Sequence, residues 1–231
     1  VEIAVTLEHA TGGIILTASH NPQQWKALKL LNHKGEFISA AEGEQLLAAA
    51  ASGNMEFAQV DALGSVTTRP DAIAKHIEQI LALPLVNVEA IRAKEYRIVV
   101  DAVNSSGGIA VPMLLRALGV RDVIELYCKP DGHFPHNPEP LPEHLTEISA
   151  LVREKKAHLG IVVDPDVDRL ALVCEDGDMF GEEYTLVAVA DYVIKHTPGN
   201  TVSNLSSTRA LRDITEKAGL KYFASAVGEV N

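Results

Sequence analysis

Three aspartates stand at alternate positions in the segment DPDVDR, directly after the apolar run GIVV: Asp164, Asp166 and Asp168. Carboxylates this close repel one another, and an uncompensated one is costly to keep ionised. A hard divalent cation removes the repulsion, because Mg²⁺ and Ca²⁺ prefer oxygen ligands. A solvated acidic turn is the usual explanation of a single D-x-D pair. Three carboxylates behind an apolar run, followed at once by Arg169, favour a metal site instead.

Two other kinds of acidic loop share part of this pattern. An EF-hand calcium loop also begins D-x-D-x-D, but its sixth position requires glycine, and Arg169 stands there. Residues 170–174 also form an apolar run typical of a strand. A phosphotransferase of the haloacid-dehalogenase type likewise carries D-x-D after an apolar strand, and Asp164 would then be the nucleophile. This second alternative is weakened by Asp168, where that class usually has threonine or valine, but it stays open.

A second polar segment, TASHNP at residues 17–22, follows the apolar run GIIL and brings Ser19 and His20 to the end of a predicted strand. A Ser-His-Asp hydrolase would present its serine in a G-x-S-x-G elbow, which this segment lacks. If Ser19 instead carries a phosphoryl group, it needs a nearby cation and a rigid backbone. The acidic segment could supply the cation, and Pro22 with the preceding strand could supply the rigidity. For His20, a loop imidazole bonded to the backbone and a catalytic group are both open.

The composition limits the class of protein and its partners. The 231 residues are 47% hydrophobic and 22% charged, which is typical of a folded globular chain with a sizeable core. A net charge of −11 without basic clusters argues against nucleic acid or a membrane surface as partner, but not against a small anionic substrate. Two cysteines outside any CxxC pair favour a reducing, cytoplasmic location. No apolar run of bilayer length and no signal peptide are recognisable.

Short apolar runs alternate with amphipathic helical stretches, which predicts an α/β fold of successive βα domains with mixed, largely parallel sheets. The spacing of Ser39 and Glu42 predicts a capping box that opens a helix to about Ala51. A second helix is predicted after Pro70. The missing start methionine and the unfinished last unit indicate a fragment, whose oligomeric state the sequence does not specify. The predicted domains are 1–94, 95–197 and an incomplete 198–231.

The segments TASHNP, WKALK, DGHFPHNPEP and DPDVDR, in this order and at these separations, resemble the α-D-phosphohexomutases, the superfamily of phosphoglucomutase, phosphomannomutase and phosphoglucosamine mutase. The resemblance spans nearly the whole chain. It implies most of the first domain, all of the second and the opening of the third in a four-domain fold. It further implies a Mg²⁺-dependent isomerase that interconverts hexose 1-phosphates and 6-phosphates, with a hexose 1,6-bisphosphate as intermediate and activator. The fragment alone is expected to be inactive.

The resemblance also implies roles for individual residues. Ser19 would be the phosphoserine, and one oxygen of its phosphate would join Asp164, Asp166 and Asp168 as a ligand of Mg²⁺. Arg169 would lie beside that phosphate.

Two further residues receive roles from the same resemblance. His20 would position the nucleophile or assist its proton transfer. Lys29 matches the lysine of the family's N-G-x-K run, which serves in general acid/base work, although Lys26-Ala27 stands where N-G is common. A solvated lysine at a strand edge is the alternative. A metal-bearing binding or assembly module without chemistry is the alternative for the whole chain.

The residues that select the sugar are not assigned. Gly181–Glu183 begins like the family's sugar-selecting G-E-x-S/N-G loop, but no small pair follows, so these residues are predicted to open a helix. The terminal GEVN is predicted to be a different loop of the third domain. Glucose, mannose and glucosamine therefore remain equal candidates. Asp101, Asn104 and Gly107-Gly108 are predicted to form a structural turn.

Overall fold

The computed structural model describes residues 1–22 and 24–227, without the side chain of Glu182. Within these ranges the chain forms eight strands and eight α-helices. The strands are β1 (Gly13–Thr17), β2 (Ala27–Leu31), β3 (Arg97–Asp101), β4 (Asp122–Leu126), β5 (Leu159–Val163), β6 (Leu170–Cys174), β7 (Thr201–Asn204) and β8 (Tyr222–Ser225). The helices are α1 (Glu2–Leu7), α2 (Ala40–Ser52), α3 (Ala72–Leu81), α4 (Val88–Ala93), α5 (Gly107–Ala117), α6 (Thr146–Lys155), α7 (Glu182–His196) and α8 (Ala210–Lys217).

The chain divides into two compact units. Over the described residues, the first contains residues 1–16 and 28–76, and the second contains residues 17–27 and 77–227. These two units are defined by compactness alone and do not test the boundaries of the three domains predicted from the sequence. Those boundaries stay a prediction.

The first unit contains the helix α2 and most of the two-stranded sheet of β1 and β2, whose residues Thr17 and Ala27 are assigned to the second unit. The N–H of Glu42 donates to Ser39 Oγ at 3.3 Å, and the Glu42 carboxylate accepts the N–H of Ser39 at 2.7 Å. These reciprocal bonds are the capping box that the sequence predicts. The helix ends at Gly53, whose φ of 65° lies in the left-handed region that glycine adopts without strain.

The second unit is built around a four-stranded sheet in the order β4-β3-β5-β6. Strands β3, β4 and β5 are parallel, whereas β6 runs antiparallel to β5, with Val163 opposite Leu170. On one face of β3, Val99 packs with Ile148 of α6, and on the other face Val100 packs with Leu115 of α5. A strand covered on both faces is typical of an α/β sheet. The predicted fold class is therefore confirmed.

The end of the described chain is a β7-α8-β8 unit with parallel strands. Helix α7, which precedes this unit, begins at Glu182, where the sequence predicts that a helix opens. The predicted loop GEVN lies outside the described residues. Over the described residues, every helix is too short or too polar to serve as a membrane span.

Two glycines let the backbone approach its neighbours closely after β3. A Cβ atom at Gly108 would lie 2.3 Å from the carbonyl oxygen of Cys128, and one at Gly107 would lie 2.5 Å from Val163 Cγ2. Both distances are shorter than van der Waals contact allows, so only glycine fits without a shift. The close approach of α5 to the end of β5 supports the structural role predicted for this turn.

Candidate active site

The acidic loop, residues 164–169, connects the antiparallel strands β5 and β6. Asp164 closes it twice: its carbonyl accepts the N–H of Val167 at 3.1 Å, and its Oδ1 accepts the N–H of Arg169 at 3.2 Å. Val167 has a φ of 64°, a left-handed conformation that is unusual for a β-branched residue. The loop is therefore a tight connection whose two ends are fixed by sheet pairing.

The three aspartates converge within this loop. One carboxylate oxygen from each of Asp164, Asp166 and Asp168 lies within 4.8 Å of the others. Asp164 is fully buried, and its Oδ2 has no hydrogen-bond partner in the described part of the chain. Burial raises the pKa of Asp164 to about 7; the N–H of Arg169 opposes this shift, and the charges of Asp168 and Asp166 add to it.

These properties fit a divalent cation. A buried carboxylate oxygen without a hydrogen bond, beside two further carboxylates, is a costly arrangement unless positive charge compensates it. Oxygen ligands of this kind suit Mg²⁺, which normally keeps several water or phosphate ligands besides the protein groups.

Two serine hydroxyls hold the acidic loop from the side of α5. The Oγ atoms of Ser105 and Ser106 each donate to the carbonyl oxygen of Pro165 at 2.8 Å. Gly107, the next residue, lies against Val163, at the start of the loop. The loop that carries the carboxylates is thus fixed by its own strands and by the two residues that directly precede α5.

The serine loop, residues 17–22, begins at Thr17, the last residue of β1. Ser19 has a φ of 49° and donates its N–H to Thr17 Oγ1 at 2.7 Å. Its Oγ lies 3.1 Å from Nδ1 of His20, at hydrogen-bond distance. The N–H of Asn21 donates to the carbonyl of Ala18 at 3.0 Å and closes the turn. The loop therefore displays the Ser19 hydroxyl next to an imidazole nitrogen.

The serine loop and the acidic loop belong to the same compact unit and are joined by a hydrogen bond. Thr17 Oγ1 donates to Asp166 Oδ2 at 2.9 Å, across 149 positions of the sequence. The structure thus brings the predicted nucleophile's loop and the predicted metal loop together.

Arg169 lies at the end of the acidic loop and faces the proline-rich loop, residues 129–141. Its Nη1 is 3.6 Å from Glu139 Oε1. Both side chains are partly exposed, so this ion pair contributes little to stability, but it limits where the guanidinium can point. The pair lies on the wall of a cavity of about 370 Å³, which is lined by Glu139, Pro140, Leu141, Arg169, Leu170 and Ala171.

A contact between the partly buried His136 and the buried Asp101 fixes the proline-rich loop to the end of β3. His136 Nε2 lies 3.0 Å from Asp101 Oδ2, and its Nδ1 lies 2.8 Å from the carbonyl of Asn137. Because both partners are acceptors, this geometry suits a protonated ring that donates from both nitrogens. Burial lowers the pKa of His136, but the hydrogen bond and charge of Asp101 outweigh it, and the net shift is upward.

Lys29 is the predicted site residue that belongs to the first unit. It lies in β2 with its ammonium 5.7 Å from the centroid of the Phe37 ring. Ser19, His20, the three aspartates and Arg169 all belong to the second unit.

Sequence reasoning missed the residues that support the site. Thr17, Ser105, Ser106, Glu139 and His136 hold or orient predicted functional groups, yet the sequence assigned them no role. The sequence did contain one local signal for Thr17. The side-chain oxygen of a threonine can accept the backbone N–H of the residue two positions later, which here is Ser19. The other contacts join segments far apart in the chain.

Comparison with known proteins identifies the class. Residues 1–56 match the family model for phosphoglucomutase/phosphomannomutase α/β/α domain I, and residues 74–177 match that for α/β/α domain II. The chain belongs to this family, the α-D-phosphohexomutases. The resemblance inferred from the motifs is confirmed.

Individual relatives agree with this assignment. A "probable phosphoglucosamine mutase" of Methanopyrus kandleri is 32% identical over 98% of this chain and 49% of the relative. A phosphoglucomutase/phosphomannomutase of Thermococcus kodakarensis is 33% identical over 96% of this chain and 48% of the relative. The crystal structure of a candidate phosphomannomutase from Thermus thermophilus matches with a TM-score of 0.84 and 26% identity, over 98% of this chain and 51% of that one. The chain thus spans about half the length of these relatives.

Proposed function

We propose that this chain carries the phosphoserine and metal loops of a Mg²⁺-dependent phosphohexomutase. The enzyme would interconvert hexose 1-phosphates and hexose 6-phosphates through a bisphosphorylated sugar, in the cytoplasm. The observation that carries the proposal is the 2.9 Å bond from Thr17 to Asp166, because it joins the loop of a displayed serine to a cluster of three carboxylates. The names of the relatives support the reaction class and leave the sugar open.

In this proposal Ser19 is the phosphoryl carrier. The phosphoryl group leaves Ser19 Oγ for a free hydroxyl of the bound sugar monophosphate, which gives the 1,6-bisphosphate. Ser19 Oγ then accepts the other phosphoryl group and is ready for a new cycle, so that the sum of both steps is an isomerisation. His20, with Nδ1 at 3.1 Å from Ser19 Oγ, would orient the hydroxyl or assist its proton transfer.

Charge compensation is the main catalytic demand of phosphoryl transfer. Asp164, Asp166 and Asp168 would hold Mg²⁺ together with a phosphoserine oxygen, and the bound ion would neutralise charge that spreads over the phosphoryl oxygens. Arg169 would add a second positive charge beside the phosphate. Lys29 would exchange the proton of the sugar hydroxyl.

The haloacid-dehalogenase alternative is less well supported. An attacking Asp164 would need an accessible carboxylate, but this side chain is fully buried and its Oδ1 accepts the N–H of Arg169. The membership in the phosphohexomutase family also opposes it. A metal-bearing module without chemistry is the other alternative, and the following experiment separates all three.

The test uses the full-length protein, labelled with a hexose bisphosphate carrying radioactive phosphate, quenched in acid and analysed by phosphopeptide mass spectrometry. We expect the label on Ser19. A label on Asp164 would support the phosphatase alternative, and no label would support the non-catalytic module.

The matching substitution is Ser19→Ala, with Ser52→Ala as the control. We expect Ser19→Ala to reduce turnover at least about 10³-fold while the melting temperature stays close to that of the wild type. Ser52 is exposed and bonded to Ala49 in α2, so its replacement should leave turnover unchanged. Turnover near the wild-type rate in Ser19→Ala would contradict the proposed function.

A further inference from the structure

The hydroxyl of Thr17 makes two hydrogen bonds of opposite direction. Its oxygen accepts the N–H of Ser19 at 2.7 Å, and its proton is donated to Asp166 Oδ2 at 2.9 Å. A hydroxyl has a single proton, so the bond to the carboxylate fixes the orientation of the group. One small side chain therefore contacts both the backbone of the serine loop and a carboxylate of the acidic loop.

The first of these bonds acts on the conformation of Ser19. A φ of 49° is a left-handed conformation that a non-glycine residue adopts only when its surroundings hold it there. A backbone N–H that donates to the side-chain oxygen of the residue two positions earlier closes a turn, and serine and threonine typically supply that oxygen. The hydroxyl of Thr17 thus stabilises the backbone turn that displays the Ser19 side chain.

The second bond acts on Asp166. A hydrogen bond to an ionised carboxylate is stronger than one between two neutral groups, and here the bond from Thr17 fixes Oδ2 of Asp166, one of the three carboxylates of the cluster. Outer hydrogen bonds of this kind orient the ligands of metal sites.

We propose that Thr17 is a positioning residue that couples metal binding by the acidic loop to the placement of Ser19. This inference rests on the proposed function for the transfer step, but its metal-binding part stands apart from it. Asp166 would be one of the residues that hold the cation, and the hydroxyl of Thr17 ties the position of this carboxylate to the turn at Ser19. Loss of the hydroxyl would leave the N–H of Ser19 without its acceptor and would remove one restraint on the Asp166 carboxylate.

Thr17→Val is the informative substitution, because valine keeps the shape and the β-branching that suit the last residue of β1 and removes the hydroxyl alone. Thr17→Ser keeps the hydroxyl and removes the methyl group. The matched control is Thr208→Val: Thr208 Oγ1 also accepts the N–H two residues further on, that of Ala210 at 3.3 Å, but it lies outside both loops.

The experiment uses the full-length protein and two readouts. Mn²⁺ and Mg²⁺ are titrated calorimetrically without substrate, and kcat and KM are measured separately. For Thr17→Val we expect about 10-fold weaker metal binding and a fall of about 10- to 100-fold in kcat, with KM changed less than about threefold. Thr17→Ser should recover both to within about threefold, and Thr208→Val should bind metal as the wild type does.

Several outcomes would overturn the inference. Thr17→Val with wild-type metal affinity and kcat would show that the hydroxyl is dispensable. Thr17→Ser as impaired as Thr17→Val would show that the methyl group matters instead. If Ser19 takes no label in the test above, the proposed function fails, whereas the metal titration still decides whether Thr17 supports Asp166.

Discussion

The acidic loop and the serine loop are both short connections with a left-handed, non-glycine residue, but they are supported in different ways. The acidic loop is clamped by the pairing of β5 with β6 and by two serine hydroxyls from the start of α5. The serine loop follows β1 and is held by bonds among its own residues and by the bond from Thr17 to Asp166. The metal loop is therefore built by the sheet, and the serine loop is in part held by the metal loop.

The difference explains where strain is tolerated. Val167 is β-branched and has a φ of 64°, which is costly, yet the sheet fixes both ends of its loop. Ser19, at 49°, depends on a local hydrogen bond for the same kind of conformation. We therefore expect changes near the acidic loop to alter stability and metal binding together, and changes in the serine loop to alter mainly function.

The largest expected effect on the acidic loop comes from Gly107→Ala. The new Cβ would lie 2.5 Å from Val163 Cγ2 and 3.3 Å from Val167 Cγ2, and the stiff valine at 163 cannot move aside easily. We expect the free energy of unfolding to fall by about 2–3 kcal/mol and metal affinity to fall with it, as measured by urea unfolding and calorimetry. The control is Gly199→Ala, where a Cβ would meet open space. Equal stability of both variants would refute the clamped loop.

A smaller effect is expected when the serine clamp is removed. Ser105 and Ser106 donate to the same carbonyl oxygen, so either hydroxyl alone keeps that oxygen bonded. We expect each single alanine variant to lose less than about 0.5 kcal/mol and the double variant to lose about 1–2 kcal/mol, a clear departure from additivity. Urea unfolding of the four proteins measures this coupling. Strictly additive losses would mean that the two bonds act independently.

The smallest effect concerns the proline-rich loop, which places Glu139 opposite Arg169 at the end of the acidic loop. The pKa of His136 is raised in the folded state: burial opposes the shift, but Asp101, the carbonyl of Asn137 and the charge of Glu147 outweigh it. A histidine whose pKa is higher in the folded than in the unfolded state stabilises the fold by binding its proton more tightly there. This contribution is fully present below the unfolded-state pKa of 6.5 and is lost as the pH rises through the folded-state pKa.

We therefore expect the free energy of unfolding to fall as the pH rises from below 6.5 through the raised, folded-state pKa of His136. His136→Gln should flatten that part of the profile, and His144→Gln, in the same unit, should not. A profile of His136→Gln that is identical to that of the wild type would show that the ion pair does not contribute.

Local patterns in the sequence predicted those structural features that depend on residues close together in the chain. The capping box of Ser39 and Glu42, the helix after Pro70 and the acidic connection after GIVV all follow from spacing within a few positions. The α/β class followed from the alternation of apolar runs and helices. Such features are set by backbone hydrogen bonding and by burial of one face, and both leave a periodic signal.

The supports of the site could not be predicted in this way. The bond from Thr17 to Asp166 crosses 149 positions, and the contact of His136 with Asp101 crosses 35. Such pairs are set by the packing of distant segments, and no spacing within either segment indicates the partner. The left-handed conformation of Ser19 likewise could not be predicted from the sequence, because serine has no strong preference for that conformation.

The pairing of Val163 with Leu170 also limits how this part of the molecule can diversify. A residue inserted between them would either push the carboxylates apart or slip β6 by one position, and a slip would turn the buried Ala171 and Val173 to the opposite face of the sheet. We therefore expect this hairpin to tolerate substitutions of its side chains better than changes in its length. Insertions should be tolerated more easily outside the segment between Val163 and Leu170.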